Sequence, residues 1–351
     1  MEVLGRATQA VIASRPRTVL VIGGTGFLGR RITEEFARHG DGVSVLSRGQ
    51  HATAGLPGVE LLQADRTDAA ALRTALGKRE FDIAIDNIAF DADDVSLTLE
   101  VLNQRVGHYL LTSSAAVYAE RYVRRPLREE AADLAVRVPV DAPNPFHPRL
   151  GHAYGNGKRA AEQVVRQSTL TWTVLRPPVV LGADDRTLRV WWFVQRLLDG
   201  EPIVIPDWGP GRVFQLVWSV DVARASYAVA AQPAAYGKAY NVAQAEVYTA
   251  ESWIEAAAQI LGVAARYTHI AEDDLSRVGL PGYKLPIAGR PFGHVLLDIG
   301  AIERDVGFEP APESVWLQDT VAGCAANPPP TDSAGYDRRA QEVAAAGALS
   351  G

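Results

Sequence analysis

The chain has 351 residues, of which 47% are hydrophobic and 22% are charged, and its formal net charge is −6. These values are typical of a soluble globular protein with one large or two smaller domains. The single cysteine excludes an intramolecular disulfide and a cysteine-rich metal site. No basic block or membrane-length apolar run occurs, so nucleic acid and membrane are poor candidate partners. We expect a cytoplasmic protein without a metal site, preceded by a flexible N-terminal extension over residues 1–16.

Strands and helices alternate through the first half of the chain. The predicted strands are Thr18–Ile22, Gly42–Leu46, Val59–Gln63, Phe81–Asp86 and His108–Thr112. The predicted helices between them are Arg30–His39, Ala69–Leu76 and Val95–Asn103. Such a βαβ series predicts an α/β fold with a doubly wound parallel sheet, which binds ligands beyond the carboxyl ends of its strands.

The second half of the chain is less regular. A dinucleotide-binding domain is expected over 17–182 plus 217–244, and a smaller C-terminal substrate-binding lobe over 183–216 plus 245–326. Residues 327–351 open with three prolines and continue into Ala, Gly and Ser, so we expect a disordered tail there.

A glycine-rich loop follows the first strand and precedes the first helix. Gly23, Gly26 and Gly29 have the spacing that allows a tight turn, close approach of a pyrophosphate and close packing of helix on strand. The helix N-terminus offers free N–H groups to phosphate. In this context the loop predicts a dinucleotide site, and its other predicted contact residues are Thr25, Phe27 and Leu28.

Tyr154 and Lys158 lie four residues apart and share one face of a predicted helix. An ammonium near a phenol favours phenolate, so such a tyrosine could exchange a proton with a carbonyl or alcohol oxygen. Ser114 follows the fifth predicted strand, where its hydroxyl could hold that oxygen. Taken alone, the Tyr–Lys pair is by default interpreted as a surface pair, and a strand-end cap is the lesser alternative for the serine.

Together these motifs resemble the extended short-chain dehydrogenase/reductases, the NAD-dependent epimerase/dehydratase group. Further matches lie in Ser113–Tyr118, Leu175–Gly182, Gln215–Ala223, Tyr240–Val242 and Leu297–Pro310, so that the resemblance covers roughly residues 18–325. It implies a Rossmann-type sheet and a small-molecule substrate. Homodimers formed through two helices of the sheet layer are common in the group.

The resemblance also implies roles for individual residues. Tyr154 would be the acid/base, Lys158 would bind the nicotinamide ribose and Ser114 would position the substrate oxygen. Arg212 would bind a substrate diphosphate, although a solvated loop arginine is the simpler interpretation. The remaining implied cofactor contacts are Asp65 and Arg66 beside the adenine, Asn87, Thr112, and Pro177 and Val179 beside the nicotinamide.

The end of the second strand bears on the choice of cofactor. NAD-specific sites usually place an acidic residue there, on the ribose 2′-hydroxyl. This chain has Ser47 and Arg48, and an arginine suits a 2′-phosphate. The sequence therefore favours NADP(H) over NAD(H). The alternative is that Arg48 is a solvated loop residue with no role in cofactor binding.

The residues after Ser114 bear on the reaction. Dehydratases of the group carry Asp-Glu at this place, whereas this chain has Ala115 and Ala116. We therefore expect a ketoreductase acting on a sugar nucleotide or a related polar molecule. One alternative is an epimerase that retains NAD. Another is a dinucleotide-sensing regulatory or RNA-binding protein, because Asp86–Phe90 and the glycines beside Tyr154 resemble an atypical branch that includes the chloroplast stem-loop-binding proteins.

Overall fold

The computed structural model describes residues 15–49, 56–118, 125–139, 152–207, 212–283, 285–286, 296–330 and 335–348. Apart from residues 15 and 16, the expected N-terminal extension lies outside these ranges. None of the helices within them is long and apolar enough to cross a membrane.

A seven-stranded parallel sheet forms the centre of the molecule. In chain order its strands are β1 (Thr18–Ile22), β2 (Gly42–Ser47), β3 (Glu60–Gln63), β4 (Phe81–Asp86), β5 (Val106–Thr112), β6 (Trp172–Arg176) and β10 (Lys238–Asn241). Their spatial order is β10-β6-β5-β4-β1-β2-β3, and every neighbouring pair is parallel. The chain order reverses between β1 and β4, which is the switch point where such sheets bind ligands. The predicted α/β Rossmann-type sheet is confirmed.

Helices cover both faces of the sheet. They are α1 (Phe27–Arg38), α2 (Ala69–Leu76), α3 (Ala92–Leu102), α4 (Ala153–Gln167), α6 (Ser219–Val229) and α8 (Gly300–Val306). Two apolar clusters lie between helices and sheet, one on each face, because the central strands are buried on both sides.

A separate apolar cluster, rich in tryptophan, belongs to the segments expected to form the substrate lobe. It includes residues of α5 (Arg189–Leu198), α7 (Ala250–Leu261) and α9 (Glu313–Ala326). Two small parallel sheets accompany it, formed by β7 (Val179–Leu181) with β9 (Leu216–Trp218) and by β8 (Ile203–Asp207) with β11 (Tyr267–Ala271). The proposed domain boundaries stay predictions.

The tail contains a helix, α10 (Arg339–Ala348), next to β8 and β11. Ala345 and Ala346 are buried in the tryptophan-rich cluster, and Glu342 forms a buried ion pair with Arg196 of α5. The expectation of a disordered tail is therefore wrong for residues 335–348. Composition alone did not reveal that α10 has a buried charged partner more than a hundred residues earlier in the chain.

Candidate active site

The glycine loop joins β1 to α1 in a conformation that needs glycine at two positions. Gly23 has a φ of +83°, and a Cβ on Gly29 would come within 2.0 Å of the Gly23 carbonyl oxygen. A Cβ on Gly26 would meet no atom within 4 Å in the described part of the chain. Gly23 and Gly29 are therefore needed for the conformation of the loop. Gly26 is not, and the space beside its Cα is open.

The first turn of α1 fits a bound phosphate. Gly26 is the N-cap residue, and no side chain in the described part of the structure caps the helix. The early N–H groups of a helix lack partners within the helix and can bind an anion. Thr25 is buried in the loop, and Phe27 and Leu28 line the cavity described below.

Asn87 follows β4 at the switch point and lines the same cavity. Its side-chain oxygen is buried and has no hydrogen-bond partner among the described residues. A buried acceptor without a partner is costly unless a ligand donates to it. Together with the open space at Gly26, this atom indicates that the residues present fit a dinucleotide.

Four residues were predicted at the adenine end of the site. Ser47 is half-buried at the end of β2, and Arg48 and Asp65 are exposed nearby. Arg66, in contrast, is buried and binds both carboxylate oxygens of Asp86, at 2.7 and 3.0 Å. Because its guanidinium is paired with Asp86, the Arg66 side chain does not point to the adenine site. Asp65 and the Arg66 backbone remain the candidates for contact with adenine.

Tyr154, Lys158 and Ser114 come together at the carboxyl end of β5. The Tyr154 and Ser114 side chains share a hydrogen bond, and the Ser114 hydroxyl accepts a second one from the backbone N–H of Ala116, at 3.1 Å. The buried Lys158 ammonium donates to the carbonyl oxygens of Ala89 and Thr112, at 2.8 and 2.9 Å. The strand ends and α4 therefore present a phenol, a hydroxyl and an ammonium to one space.

Burial dominates the protonation of these groups. It lowers the pKa of Lys158 to about 8, against the opposing charges of Asp86 and Glu162. It raises the pKa of Tyr154, and this is opposed by the hydrogen bond with Ser114 and by the positive charge of Arg189. The expected lowering of the Tyr154 pKa by Lys158 is thus not what the structure shows.

These residues open onto a cavity of about 350 Å³. Thr112, Pro177 and Val179 line it with the three residues above, and so do Ala115 and Ala116. Arg212 is described but is not among the lining residues. The cavity therefore joins the predicted nicotinamide end of the cofactor site to the predicted catalytic residues.

A sequence model of the NAD dependent epimerase/dehydratase family matches residues 19–243, about two thirds of the chain. The chain belongs to this family. Membership indicates an enzyme that depends on a nicotinamide dinucleotide, and it confirms the resemblance found in the sequence.

Three curated relatives are 24–26% identical to the chain over the residues that align. The chloroplast stem-loop binding protein of 41 kDa b from Arabidopsis thaliana is 26% identical, over 72% of this chain and 65% of its own length. A mitochondrial NADH dehydrogenase subunit from the same plant is 25% identical, over 71% and 59%. The chain thus spans less than two thirds of these relatives. A (4-alkanoyl-5-oxo-2,5-dihydrofuran-3-yl)methyl phosphate reductase from Streptomyces griseus is 24% identical, over 77% and 83%.

Solved structures with the same fold include two UDP-glucose 4-epimerases. The Thermotoga maritima structure, which contains UDP-glucose, has a TM-score of 0.66 and 18% identity, and the match covers 88% of this chain and 99% of that chain. The Thermus thermophilus structure, which contains NAD, has a TM-score of 0.66 and 21% identity, over 89% and 100%. At these identities the likeness shows the fold.

The site includes residues that the sequence did not single out. Phe90, Asp185, Thr187, Arg189 and Gln215 also line the cavity. Asp185, Thr187 and Arg189 all lie in the segment after β7. The available sequence indication was their position beyond the carboxyl end of a strand, but without a family motif they resembled ordinary loop polar residues.

Glu162, a buried residue of α4, connects this helix to the strands beside the cavity. It accepts a hydrogen bond from Ser113 at 2.6 Å and forms a bidentate ion pair with the buried Arg176, at 2.9 and 2.6 Å. These contacts join α4 to the ends of β5 and β6, the strands that hold Thr112 and Pro177 at the cavity. Glu162 lies four residues after Lys158, a spacing that places it on the same face of the helix.

The glycines beside Tyr154 have a packing role. A Cβ on Gly157 would come within 2.5 Å of the Phe90 carbonyl oxygen, and one on Gly155 within 3.0 Å of the Ala116 carbonyl oxygen. Helix α4 therefore approaches two cavity loops closely. Glycine destabilises a helix interior, but at these two positions it permits the close approach that brings Tyr154 and Lys158 to the cavity.

Proposed function

We propose that the protein is an NAD(P)H-dependent ketoreductase of the extended short-chain class that prefers NADP(H). The observation that carries this proposal is the hydrogen-bonded Tyr154–Ser114 pair beside the buried Lys158, on a cavity that continues to the glycine loop. The reduced nicotinamide, when bound, supplies a hydride to a carbonyl carbon.

The protein's own residues would manage the oxygen of the substrate. Ser114 donates a hydrogen bond to the carbonyl oxygen and holds it beside Tyr154. Tyr154 then gives its phenolic proton to that oxygen, so that the ketone becomes an alcohol and the tyrosine becomes a phenolate, which solvent reprotonates. Lys158, anchored by the Ala89 and Thr112 carbonyls, has a third N–H for the cofactor ribose.

Two further observations support reduction over dehydration. Ala115 and Ala116 line the cavity where dehydratases of the family carry acidic residues, so neither of these two positions supplies a carboxylate to protonate a substrate carbon. The Streptomyces griseus relative is named as a reductase. We propose a sugar nucleotide or a related polar carbonyl compound as substrate, with Arg212 as a candidate contact for its diphosphate.

The preference for NADP(H) depends on Arg48. Its side chain is exposed at the end of β2, next to Ser47, and the strand itself ends without an acidic residue. Asp65, after the neighbouring β3, is the nearby carboxylate whose pKa the Arg48 charge helps to lower. Loss of one charge-assisted hydrogen bond to a 2′-phosphate costs about 1.5–3 kcal/mol, or roughly 10- to 150-fold in Kd. Arg48→Ala should therefore weaken NADPH binding by that factor and leave NADH binding almost unchanged.

An epimerase that retains NAD is the second candidate, because the solved neighbours include UDP-glucose 4-epimerases. An experiment that separates the two begins with the absorbance of the purified protein, followed by titration with NADPH and NADH. An empty site that takes NADPH tightly, together with NADPH-dependent reduction in a screen of ketones that Tyr154→Phe abolishes, supports the ketoreductase.

Other outcomes would overturn the proposal. Bound NAD that does not exchange, together with interconversion of UDP-glucose and UDP-galactose, would establish the epimerase. Tight dinucleotide binding with neither activity, and a function unaffected by Tyr154→Phe, would indicate a sensing role. The Arabidopsis stem-loop binding relative makes an RNA-binding assay the next step in that case.

A further inference from the structure

Lys158 is fixed by backbone contacts near the Tyr154 ring. Its ammonium donates to two backbone carbonyl oxygens, which fix it in the floor of the site. It lies 5.7 Å from the centre of the Tyr154 ring and 5.5 Å from that of Phe90. A second cation in the cavity would add to the positive charge near the phenolic oxygen.

Arg189 provides such a charge at the same cavity. It is the first residue of α5, it lines the cavity with Tyr154, and its charge works against the rise in the Tyr154 pKa caused by burial. Arg189 on α5 and Lys158 on α4 thus bring positive charge to the Tyr154 phenol from two different helices.

Two neighbours fix the Arg189 side chain in place. Its Nη1 donates to the Thr187 hydroxyl at 2.6 Å and to the Asp185 carboxylate at 3.3 Å. Asp185 also accepts from the backbone N–H and the hydroxyl of Thr187. Leu188, between these residues, has a φ of +58°, a conformation that costs energy for a residue with a side chain. The turn is thus held in an unusual form that fixes where α5 begins.

We propose that Arg189 is a positioning residue that stabilises the phenolate of Tyr154 during proton transfer, and that Asp185 and Thr187 hold it there. This inference rests on the proposed ketoreductase function, in which the phenolate forms as the carbonyl oxygen takes its proton. A fixed cation acts more strongly on such a charge at the lower effective dielectric constant of a protein cavity than it would in bulk water.

Some of the other charged groups around Tyr154 favour its phenolate, and others oppose it. The Lys158 ammonium lies 5.7 Å from the centre of the ring, and the negative charges of Asp86 and Glu162 act on this ammonium. The Asp185 carboxylate reduces the effect of Arg189, because it accepts from that guanidinium. His152 and Arg159 of the α4 segment line the cavity as well. Variants at Arg189 must therefore be compared with variants at Lys158.

The test is an absorbance titration of tyrosine ionisation that needs no substrate. Each variant is titrated with Tyr154 and with Tyr154→Phe, and the difference isolates the ionisation of Tyr154. Arg189→Gln should move the Tyr154 midpoint to higher pH, Arg189→Lys should restore much of the shift, and Thr187→Val should give a smaller shift in the same direction. Circular dichroism at each pH shows that the protein stays folded.

Arg186→Gln is the matched control, because Arg186 lies in the same turn, is exposed and does not line the cavity. Its midpoint should equal that of the wild type. A midpoint that moves with Lys158→Met but not with Arg189→Gln or Thr187→Val would overturn the proposal. The proposal would also be overturned if Arg189→Gln lowered substrate affinity but left the Tyr154 midpoint unchanged. Failure to reduce any ketone would count against the proposed function and would leave the titration result unaffected.

Discussion

Arg196 and Glu342 form a bidentate ion pair in which both side chains are almost completely buried, at distances of 2.8 and 2.8 Å. The pair joins the third turn of α5 to α10, across 146 positions of sequence. Arg339 extends it, since its guanidinium binds Glu342 at 3.2 Å and both carboxylate oxygens of Asp199 at 2.7 and 2.8 Å. The C-terminal helix is therefore fixed to the same α5 that begins with Arg189 at the cavity.

Glu342→Gln should destabilise the protein strongly. The change keeps the shape of the side chain but leaves Arg196 buried without its counter-charge, which typically costs about 3–5 kcal/mol in the free energy of unfolding. Urea denaturation measures the change. The exposed pair Arg277–Asp274 gives a matched control, and Asp274→Asn there should change the stability by no more than about 0.5–1 kcal/mol. Equal stabilities of the two variants would show that the buried Arg196–Glu342 pair does not stabilise the fold.

Gly26→Ala and Gly29→Ala should separate cofactor binding from folding. Gly26 has a φ of −90°, which alanine can adopt, and a Cβ there meets open space. Gly26→Ala should therefore fold normally but bind NADPH roughly tenfold more weakly or worse, because the methyl group displaces a charge-assisted phosphate contact worth about 1.5–3 kcal/mol. Thermal melting and calorimetric titration measure the two effects.

Gly29→Ala should instead lower both stability and affinity, since its Cβ would overlap the Gly23 carbonyl. A Gly26→Ala protein that binds NADPH as the wild type does would place the pyrophosphate somewhere other than in front of this loop.

Gly157→Ala should impair the site through geometry. The new Cβ would lie within 2.5 Å of the Phe90 carbonyl oxygen, so α4 must move away from the loop after β4. Because Lys158 is the next residue, its bond to Ala89 should lengthen, and NADPH affinity and turnover should both fall. Gly347→Ala in α10 is the control, since a Cβ there meets nothing within 4 Å among the described residues. An unchanged Kd for NADPH in Gly157→Ala would show that this close packing is not needed.

Local patterns were sufficient to predict the sheet and the glycine loop. Phe81–Asp86 was predicted with the observed bounds because a strand buried on both faces is apolar along its length. The inward turn of Arg66 could not be predicted, because its partner Asp86 is 20 positions away and nothing in the local sequence relates them. The same reason explains α10, whose Glu342 pairs with Arg196, and the place of Arg189 at the cavity, which depends on where α5 begins relative to Tyr154.

The pH dependence of stability should report the burial of Lys158. Burial lowers its pKa from 10.5 to about 8 in the folded protein, so between these pH values the unfolded chain binds more protons than the folded one. Stability contributed by this group therefore rises as the pH increases from about 8 to 10.5, by up to about 3 kcal/mol. The wild type should gain this stability relative to Lys158→Met, and the difference between the two removes the effects of all other titrating groups. Urea denaturation at several pH values measures it. A constant difference across the range would mean that Lys158 is hydrated in solution, and the role of its buried ammonium as a fixed anchor for the cofactor would then have to be abandoned.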